Sequence, residues 1–132
     1  MKSIKIIIER GKDQYAAYAE NVDGIYGAGD TPDEAKQSVE KSIKLFKKYN
    51  APENIPAILK GEYEITYRFD TISLLNYYKK VFTNSAMERL TGINQRQIQH
   101  YASGLKKPRA AQVKKIEKAL HNLGEELLAV EL

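Results

Sequence analysis

A group of polar side chains near the carboxyl end has the residue types and the spacing to read DNA bases. Its members form two pairs separated by four positions, and such a separation places both residues of a pair on one face of a helix. The group consists of Gln95, Arg96, Gln99 and His100. Amide side chains pair with adenine and arginine grips guanine at two points, so this helix suits the major groove. A polar helix face that is only solvated is the alternative interpretation.

The residues around this group predict two helices joined by a tight turn. The first helix is predicted over residues 85–91 and stops at Gly92, a position that favours a left-handed residue. Asn94 is the predicted cap of the next helix, and Gln97 is placed to reach back to that cap. Gly104 ends this helix. Two helices joined by a three-residue turn that contains glycine are typical of a DNA-binding helix-turn-helix.

Two further helices flank this pair. The earlier helix is predicted from Ser73 to Lys80, with Asp70 or Thr71 as its cap. The closing helix is predicted from apolar residues at helical spacing, which most simply complete the core of the domain and could also serve in dimerisation. These apolar residues are Val113, Ile116, Leu120, Leu123 and Leu127.

Positive charge is concentrated in the same part of the chain. Residues 71–132 carry 10 Lys plus Arg against 5 Asp plus Glu, whereas residues 1–70 carry 11 against 12. The stretch 79–118 has ten basic residues and two acidic ones, and such a stretch attracts a polyanion. Three basic residues just past the polar helix are predicted to bind DNA phosphates: Lys106, Lys107 and Arg109. A lysine-rich surface that is only solvated is the alternative.

The first 70 residues predict three strands, a helix and a fourth strand. Isoleucines alternate over residues 4–8 as in a strand buried mainly on one face. Further strands are predicted over residues 14–19, 24–28 and 63–69. The intervening helix begins at Thr31, which is followed by Pro-Asp-Glu and therefore has a capping signal. The order βββαβ is an incomplete ribonuclease H topology, which by itself implies no chemistry.

Catalytic and metal chemistry is not predicted. The chain has no cysteine, and its two histidines lie far apart, which excludes thiolate sites and leaves few zinc arrangements. Metal-dependent phosphodiester cleavage needs several carboxylates that converge on magnesium, but the first strand offers lysines and isoleucines. Asp23, Asp30 and Asp33 are explained as turn and helix-start residues. We therefore predict a protein that is not an enzyme and needs no cofactor or metal.

Length and composition predict an ordinary folded protein with about one domain or two small ones. The chain has 132 residues, of which 42% are hydrophobic and 29% charged. We predict an α+β protein with domains at residues 1–70 and 71–132. The apolar run near the amino terminus has only three consecutive isoleucines, too few for a signal-peptide core or a membrane span. A cytoplasmic protein without membrane contact is expected.

Two stretches resemble the HicB antitoxins of bacterial HicA/HicB toxin-antitoxin systems. The stretch YAAYAENVDGIYGAGDTPDEA is similar to the family's aromatic strand, Asp-Gly turn, Gly-Asp-Thr and helix that begins with Glu-Ala. The stretch LTGINQRQIQHYASGLKKPR resembles the helix-turn-helix of Cro-like repressors, which many HicB proteins carry. The sequence departs from the repressor pattern at Glu88. A small residue is usual at this position, and a large side chain there argues against the usual close packing of the two helices.

The resemblance implies a division of labour between the two halves. The first domain, a degenerate ribonuclease H-like fold, would bind a small, basic, mRNA-cleaving HicA-like toxin, while the second would bind operator DNA and repress the shared operon. Carboxylates that could complement a basic toxin are Glu20, Asp23, Asp30, Asp33 and Glu34, although each could simply be solvated. A homodimer or tetramer is expected, because one short helix reads too few base pairs for specificity.

Two other hypotheses remain open from the sequence. One is a stand-alone transcription regulator whose first domain senses a ligand or oligomerises. The other is a minor ribonuclease, which would cleave RNA in the presence of magnesium. A neighbouring gene for a short basic protein with a histidine would favour the antitoxin, and its absence would favour the regulator.

Overall fold

A four-stranded mixed sheet occupies the first part of the chain in the computed structural model, which describes residues 2–132. Its strands lie in the order β3-β2-β1-β4, and β1 is antiparallel to β2 but parallel to β4. The strands are β1 (Lys2–Arg10), β2 (Tyr15–Ala19), β3 (Tyr26–Gly29) and β4 (Tyr63–Phe69). With helix α1 (Pro32–Tyr49) between β3 and β4, the predicted βββαβ order is confirmed.

Helix α1 begins with the capping interactions that its sequence predicts. The Thr31 hydroxyl accepts the Glu34 N–H at 3.1 Å, and the Glu34 carboxylate accepts the Asp30 N–H at 2.8 Å, one residue before the cap. The helix buries its predicted apolar face, which includes Ala35, Val39 and Ile43. These residues form one core with the isoleucines of β1, of which Ile4, Ile6 and Ile8 are fully buried.

A polar contact joins α1 to the last strand of the sheet. The Tyr67 hydroxyl of β4 donates a hydrogen bond to the Glu40 carboxylate. The Lys36 ammonium lies 4.7 Å from the centre of the Tyr67 ring. Burial, together with the hydrogen bond to Glu40, raises the pKa of the Tyr67 phenol well above its usual value. At neutral pH the protonated phenol donates this bond, which joins α1 to β4.

Two glycines let α1 lie directly on β3. A Cβ atom on Gly27 would lie 2.8 Å from the Cα atom of Val39, and one on Gly29 would lie 2.7 Å from the amide nitrogen of Ala35. Both distances are well below ordinary van der Waals contact, which is about 3.5–4.0 Å between carbon atoms. The neighbouring atoms belong to the helix backbone and have no rotamer through which to move aside. The close packing of α1 on this strand therefore requires glycine.

We predict that Gly27→Ala destabilises the sheet by about 2–3 kcal/mol, because the new methyl group forces α1 away from β3. Urea unfolding followed by tyrosine fluorescence measures this, since most of the tyrosines precede residue 78. Ala28→Ser is the control, because Ala28 is exposed and its change should stay within about 0.5 kcal/mol. If the two variants were equally stable, the close packing of α1 on β3 would be contradicted.

Helices make up most of the remaining chain. They are α2 (Thr71–Tyr77), α3 (Asn84–Thr91), α4 (Gln95–Ser103) and α5 (Ala110–Leu128). The chain is thus α+β, with a mixed sheet followed by a mainly helical region. Asp70 caps α2 by accepting the Ser73 N–H at 2.8 Å, and the Thr83 hydroxyl caps α3 by accepting the Ala86 N–H at 3.0 Å.

The chain divides into two units, which we call the sheet unit (up to Tyr77) and the helical unit (from Tyr78). Helix α2 belongs to the sheet unit because it packs against α1 and β1. The domain division drawn from the sequence, after residue 70, assigns this helix to the second domain instead. Within residues 2–132, no helix combines the length and the apolar composition that a bilayer span requires.

Candidate nucleic-acid interface

The turn between α3 and α4 is built as the sequence predicts. Gly92 adopts a left-handed conformation with φ of 76°, and its N–H donates to the carbonyl oxygen of Glu88 at 2.8 Å. A residue with a Cβ atom would be strained at this angle. Ile93 follows and is buried in the helical unit. The turn thereby fixes the point at which α4 begins.

Glu88 holds the amino-terminal end of α4. Its carboxylate accepts the N–H of Gln95 at 2.9 Å, while the Asn94 side chain accepts the N–H of Arg96 at 2.8 Å. Both of these N–H groups lack a partner within the helix, so each side chain satisfies an otherwise free donor. The large residue that departs from the repressor pattern is therefore used to connect α3 to α4. Its role was missed in the sequence because the bond joins different helices.

The predicted role of Gln97 was wrong. Its side chain does not reach back to the cap but donates to the hydroxyl of Tyr101 at 2.9 Å. The Asn94 side chain accepts the N–H of Arg96, and the Glu88 carboxylate accepts the N–H of Gln95, the first of the helix. Gln97 is half-buried and has a structural role within α4, so it is not an available base-reading residue.

We predict that Glu88→Ala lowers the free energy of unfolding of the helical unit by about 1–2 kcal/mol, because the Gln95 N–H loses its acceptor. Glu88→Gln keeps an oxygen acceptor but loses the negative charge that favours a helix amino terminus, so its loss should be smaller. Urea unfolding followed by circular dichroism measures both variants. The hydrogen bond would be unimportant if Glu88→Ala were as stable as the unmodified protein.

The predicted base-reading residues lie on the solvent side of α4. Ile98, Tyr101 and Ala102 bury the opposite face. Gln95, Arg96 and Gln99 are exposed, whereas His100 is half-buried. The exposed residue Ser103 lies one turn after Gln99 and extends this face to the end of the helix. We call Gln95, Arg96, Gln99, His100 and Ser103 the α4 face; it contains no acidic residue.

One edge of the α4 face contacts the start of α3. The Asn84 amide nitrogen donates to the side-chain oxygen of Gln99 at 2.8 Å. This bond leaves Gln99 its NH₂ group, a hydrogen-bond donor, and the second lone pair of its oxygen. Two-point pairing with adenine needs both the oxygen and the nitrogen of the amide, so Gln99 would share its oxygen between Asn84 and the base.

The other edge of the α4 face borders a hollow of about 600 Å³ between α4 and α5. Its lining includes the cationic side chains of Arg96, Lys106 and Lys115, together with His100. The His100 Nδ1 atom is buried and has no hydrogen-bond partner within residues 2–132. Any contact of this ring with DNA must therefore come from its Nε2 edge. Lys115 was not identified from the sequence, because α5 brings it to α4 only in the fold.

The three predicted phosphate-binding residues lie where α4 ends and α5 begins. Lys106, Lys107 and Arg109 are all exposed. Gly104 ends α4 in a left-handed conformation with φ of 82°, as the sequence predicts. Helix α5 starts with no side-chain cap and no acidic residue in its first turn, so no side chain of that turn competes with an anion for its first N–H groups. This segment therefore combines exposed cationic side chains with a helix amino terminus, and both favour the binding of phosphate oxygens.

The carboxylates considered for toxin binding fall into two groups in the sheet unit. Glu20 and Asp23 lie between β2 and β3, and the remaining three lie after β3: Asp30, Asp33 and Glu34. The groups are therefore at opposite ends of β3. Glu20 forms an ion pair with Lys5 at 3.5 Å, and Glu34 caps α1. The five residues do not form one acidic cluster.

Comparisons with known proteins leave the geometry as the principal guide to function. No family model, no curated protein and no solved structure matches the chain. The similarity to HicB antitoxins thus stays a prediction based on the two stretches quoted above. Within residues 2–132, no group of three or more His, Asp and Glu side chains is placed to hold a metal ion.

Proposed function

We propose that the chain is an antitoxin that binds a HicA-like toxin through its sheet unit and operator DNA through its helical unit. In this proposal α3 and α4 form a Cro-like helix-turn-helix, the sheet unit is a partial ribonuclease H-like domain, and the protein is a non-enzymatic autorepressor. The observation that carries the DNA-binding part is the acid-free α4 face, which is exposed at Gln95, Arg96 and Gln99 and held in place by Glu88 and Gly92.

The dimensions of α4 support insertion into a DNA groove. An α-helix with its side chains is about 10–12 Å across, which fits the major groove of B-DNA, about 12 Å wide, and the nine residues of α4 extend about 14 Å along its axis. Arg96 is exposed and forms no ion pair within residues 2–132, so its guanidinium can pair with guanine without breaking a contact. Lys106, Lys107 and Arg109 then lie beyond the end of the helix, where they can bind the flanking phosphates.

We predict that Arg96→Ala weakens binding to DNA from upstream of the gene by about 1–3 kcal/mol, because a two-point contact with a base is lost. Gln95→Ala should also weaken binding, since this residue lies on the same exposed face. Fluorescence anisotropy with labelled duplex at fixed salt measures both affinities. The salt concentration must be constant because phosphate contacts make affinity depend on it.

Arg68→Ala is the matched control, because it removes the same charge from an exposed position of β4 in the sheet unit. Its DNA affinity should equal that of the unmodified protein. If Arg96→Ala and Gln95→Ala both bind as tightly as this control, the α4 face does not read DNA. If the unmodified protein binds no duplex more tightly than random DNA, the proposal of a repressor fails.

An exposed aromatic surface supports toxin binding by the sheet unit. Tyr26 on β3 is 69% exposed and Leu45 on α1 is 43% exposed, and both line a shallow hollow of about 420 Å³. Asp23 is exposed three residues before Tyr26. Protein interfaces often combine an aromatic centre with a polar rim, and a carboxylate on the rim favours a basic partner. We therefore place the toxin contact around Tyr26 rather than at the start of α1.

We predict that Tyr26→Ala weakens toxin binding by at least about 2 kcal/mol and abolishes growth rescue, because a central aromatic residue contributes strongly to an interface. The probe is the small basic protein encoded beside this gene, tested by co-purification and by co-expression. Tyr49→Ala is the control, since Tyr49 is also highly exposed but does not line the hollow. If both variants rescued growth equally, the toxin would bind elsewhere on the protein. The absence of such a neighbouring gene would favour the stand-alone regulator.

A further inference from the structure

The last strand of the sheet leaves one side of its backbone without partners. Strand β4 pairs only with β1, because it ends the strand order β3-β2-β1-β4. The N–H of Asp70, directly after the strand, donates to the Ile8 carbonyl oxygen of β1 at 3.2 Å. Backbone groups of alternate residues point to the same side of a strand, so those of Ile65 and Tyr67 point away from β1. Within residues 2–132 these outward groups have no hydrogen-bond partner. We call this side the β4 edge.

The opposite edge of the sheet is protected. Strand β3 has only four residues, and the Ser38 hydroxyl of α1 accepts the N–H of Ala28 at 3.1 Å. Strand β4 is longer, with seven residues. An unpaired strand edge is a template for a further strand, and short strands or a covering helix normally prevent such pairing. The β4 edge is therefore the side at which another strand can extend the sheet.

The exposed face of β4 carries charges of both signs in a symmetrical order. Glu64, Thr66 and Arg68 are exposed, and they alternate with half-buried residues. Neither Glu64 nor Arg68 forms an ion pair within residues 2–132. The two charges lie at equal separations on either side of Thr66. An antiparallel copy of the strand that is paired through Thr66 therefore places each glutamate opposite an arginine.

We propose that two copies of this chain associate by antiparallel pairing of their β4 edges, about a twofold axis at Thr66. Ile65 of each copy exchanges both backbone hydrogen bonds with Tyr67 of the other, because residues with outward backbone groups form the hydrogen-bonded pairs. Glu64 and Arg68 then form two ion pairs at non-hydrogen-bonded positions, where facing side chains are closest. The two four-stranded sheets become one. This interface lies in the sheet unit and involves neither DNA nor toxin.

The charge order favours a second copy over a different protein and also selects the register. A twofold interface uses the same surface on both subunits, so that surface must be complementary to itself. Charges of one sign would repel a copy, whereas Glu64 and Arg68 attract one. A register shifted by two residues would place Glu64 opposite either Asp70, which is repulsive, or Thr66, which is neutral. Of these registers, only the one centred on Thr66 gives Glu64 an opposite charge.

A cysteine at the axis tests the register, since the chain has no cysteine of its own. In the proposed pair the two Thr66 Cα atoms are about 4.5 Å apart, within the range of about 4.4–6.8 Å that a disulfide spans. Air oxidation of full-length Thr66→Cys should therefore give a covalent dimer on a non-reducing gel. Glu62→Cys is the matched control, because Glu62 is also exposed but its two copies would be about 27 Å apart. Equal cross-linking of both variants, or none in Thr66→Cys, would overturn the proposal.

Reversal of the charges tests the ion pairs. In sedimentation experiments the unmodified chain should self-associate. Glu64→Lys and Arg68→Glu should each weaken this association by at least about tenfold, because like charges then face each other twice. A mixture of the two variants should recover it, since their edges carry opposite charges. Arg68→Ala should have a much smaller effect, because an exposed ion pair contributes little, and it thus remains a suitable control for DNA binding.

Circular dichroism of each variant verifies that the sheet is folded. A monomeric unmodified chain, unchanged association of both charge variants, or no recovery in their mixture would each contradict pairing through the β4 edge. None of these measurements uses DNA or a toxin, so this proposal and the proposed function can fail separately.

Discussion

The direction of α4 controls every DNA contact proposed for the helical unit, and two contacts at its amino-terminal end set that direction. The left-handed conformation of Gly92 ends α3, and the Glu88 carboxylate then bonds the first N–H of α4 at Gln95. Each residue of a helix is rotated by about 100° from its neighbour. A start displaced by one residue would therefore rotate Arg96 by about 100° from its present position on the α4 face. The negative charge of Glu88 is favourable at a helix amino terminus, although it lowers the positive potential around it.

Each unit buries an apolar core and leaves a different surface exposed to solvent. In the sheet unit, α1 covers the isoleucines of β1, while Tyr26 and Leu45 remain outside the core. In the helical unit, Ile98 and Tyr101 turn inward, while the α4 face and the end of α5 are accessible. Exposed aromatic and aliphatic side chains contribute little to the stability of a single chain, so we expect partners to bind at the surfaces that contain them. The proposed toxin and DNA surfaces involve different residues.

Local features of the chain were predictable because short-range physics decides them. Alternation of isoleucines over residues 4–8 indicates a strand with one buried face, and the structure buries that face completely. Thr31 starts a helix because its hydroxyl bonds an N–H three residues ahead. Gly92 and Gly104 end helices because glycine tolerates positive φ. All of these effects operate within a few residues, so they can be predicted from the sequence without knowledge of the fold.

The amino-acid sequence by itself determined the element order, the turn before α4 and the residue types that this helix presents. Only the tertiary structure decided the surroundings of those side chains: Gln99 accepts a hydrogen bond from Asn84, and His100 has a buried Nδ1 atom. It also decided that α2 packs on the sheet unit and that Glu88 caps the following helix. Each of these depends on which hydrogen-bonding groups and apolar faces become neighbours once helices pack, and the spacing of residues along the chain does not specify that.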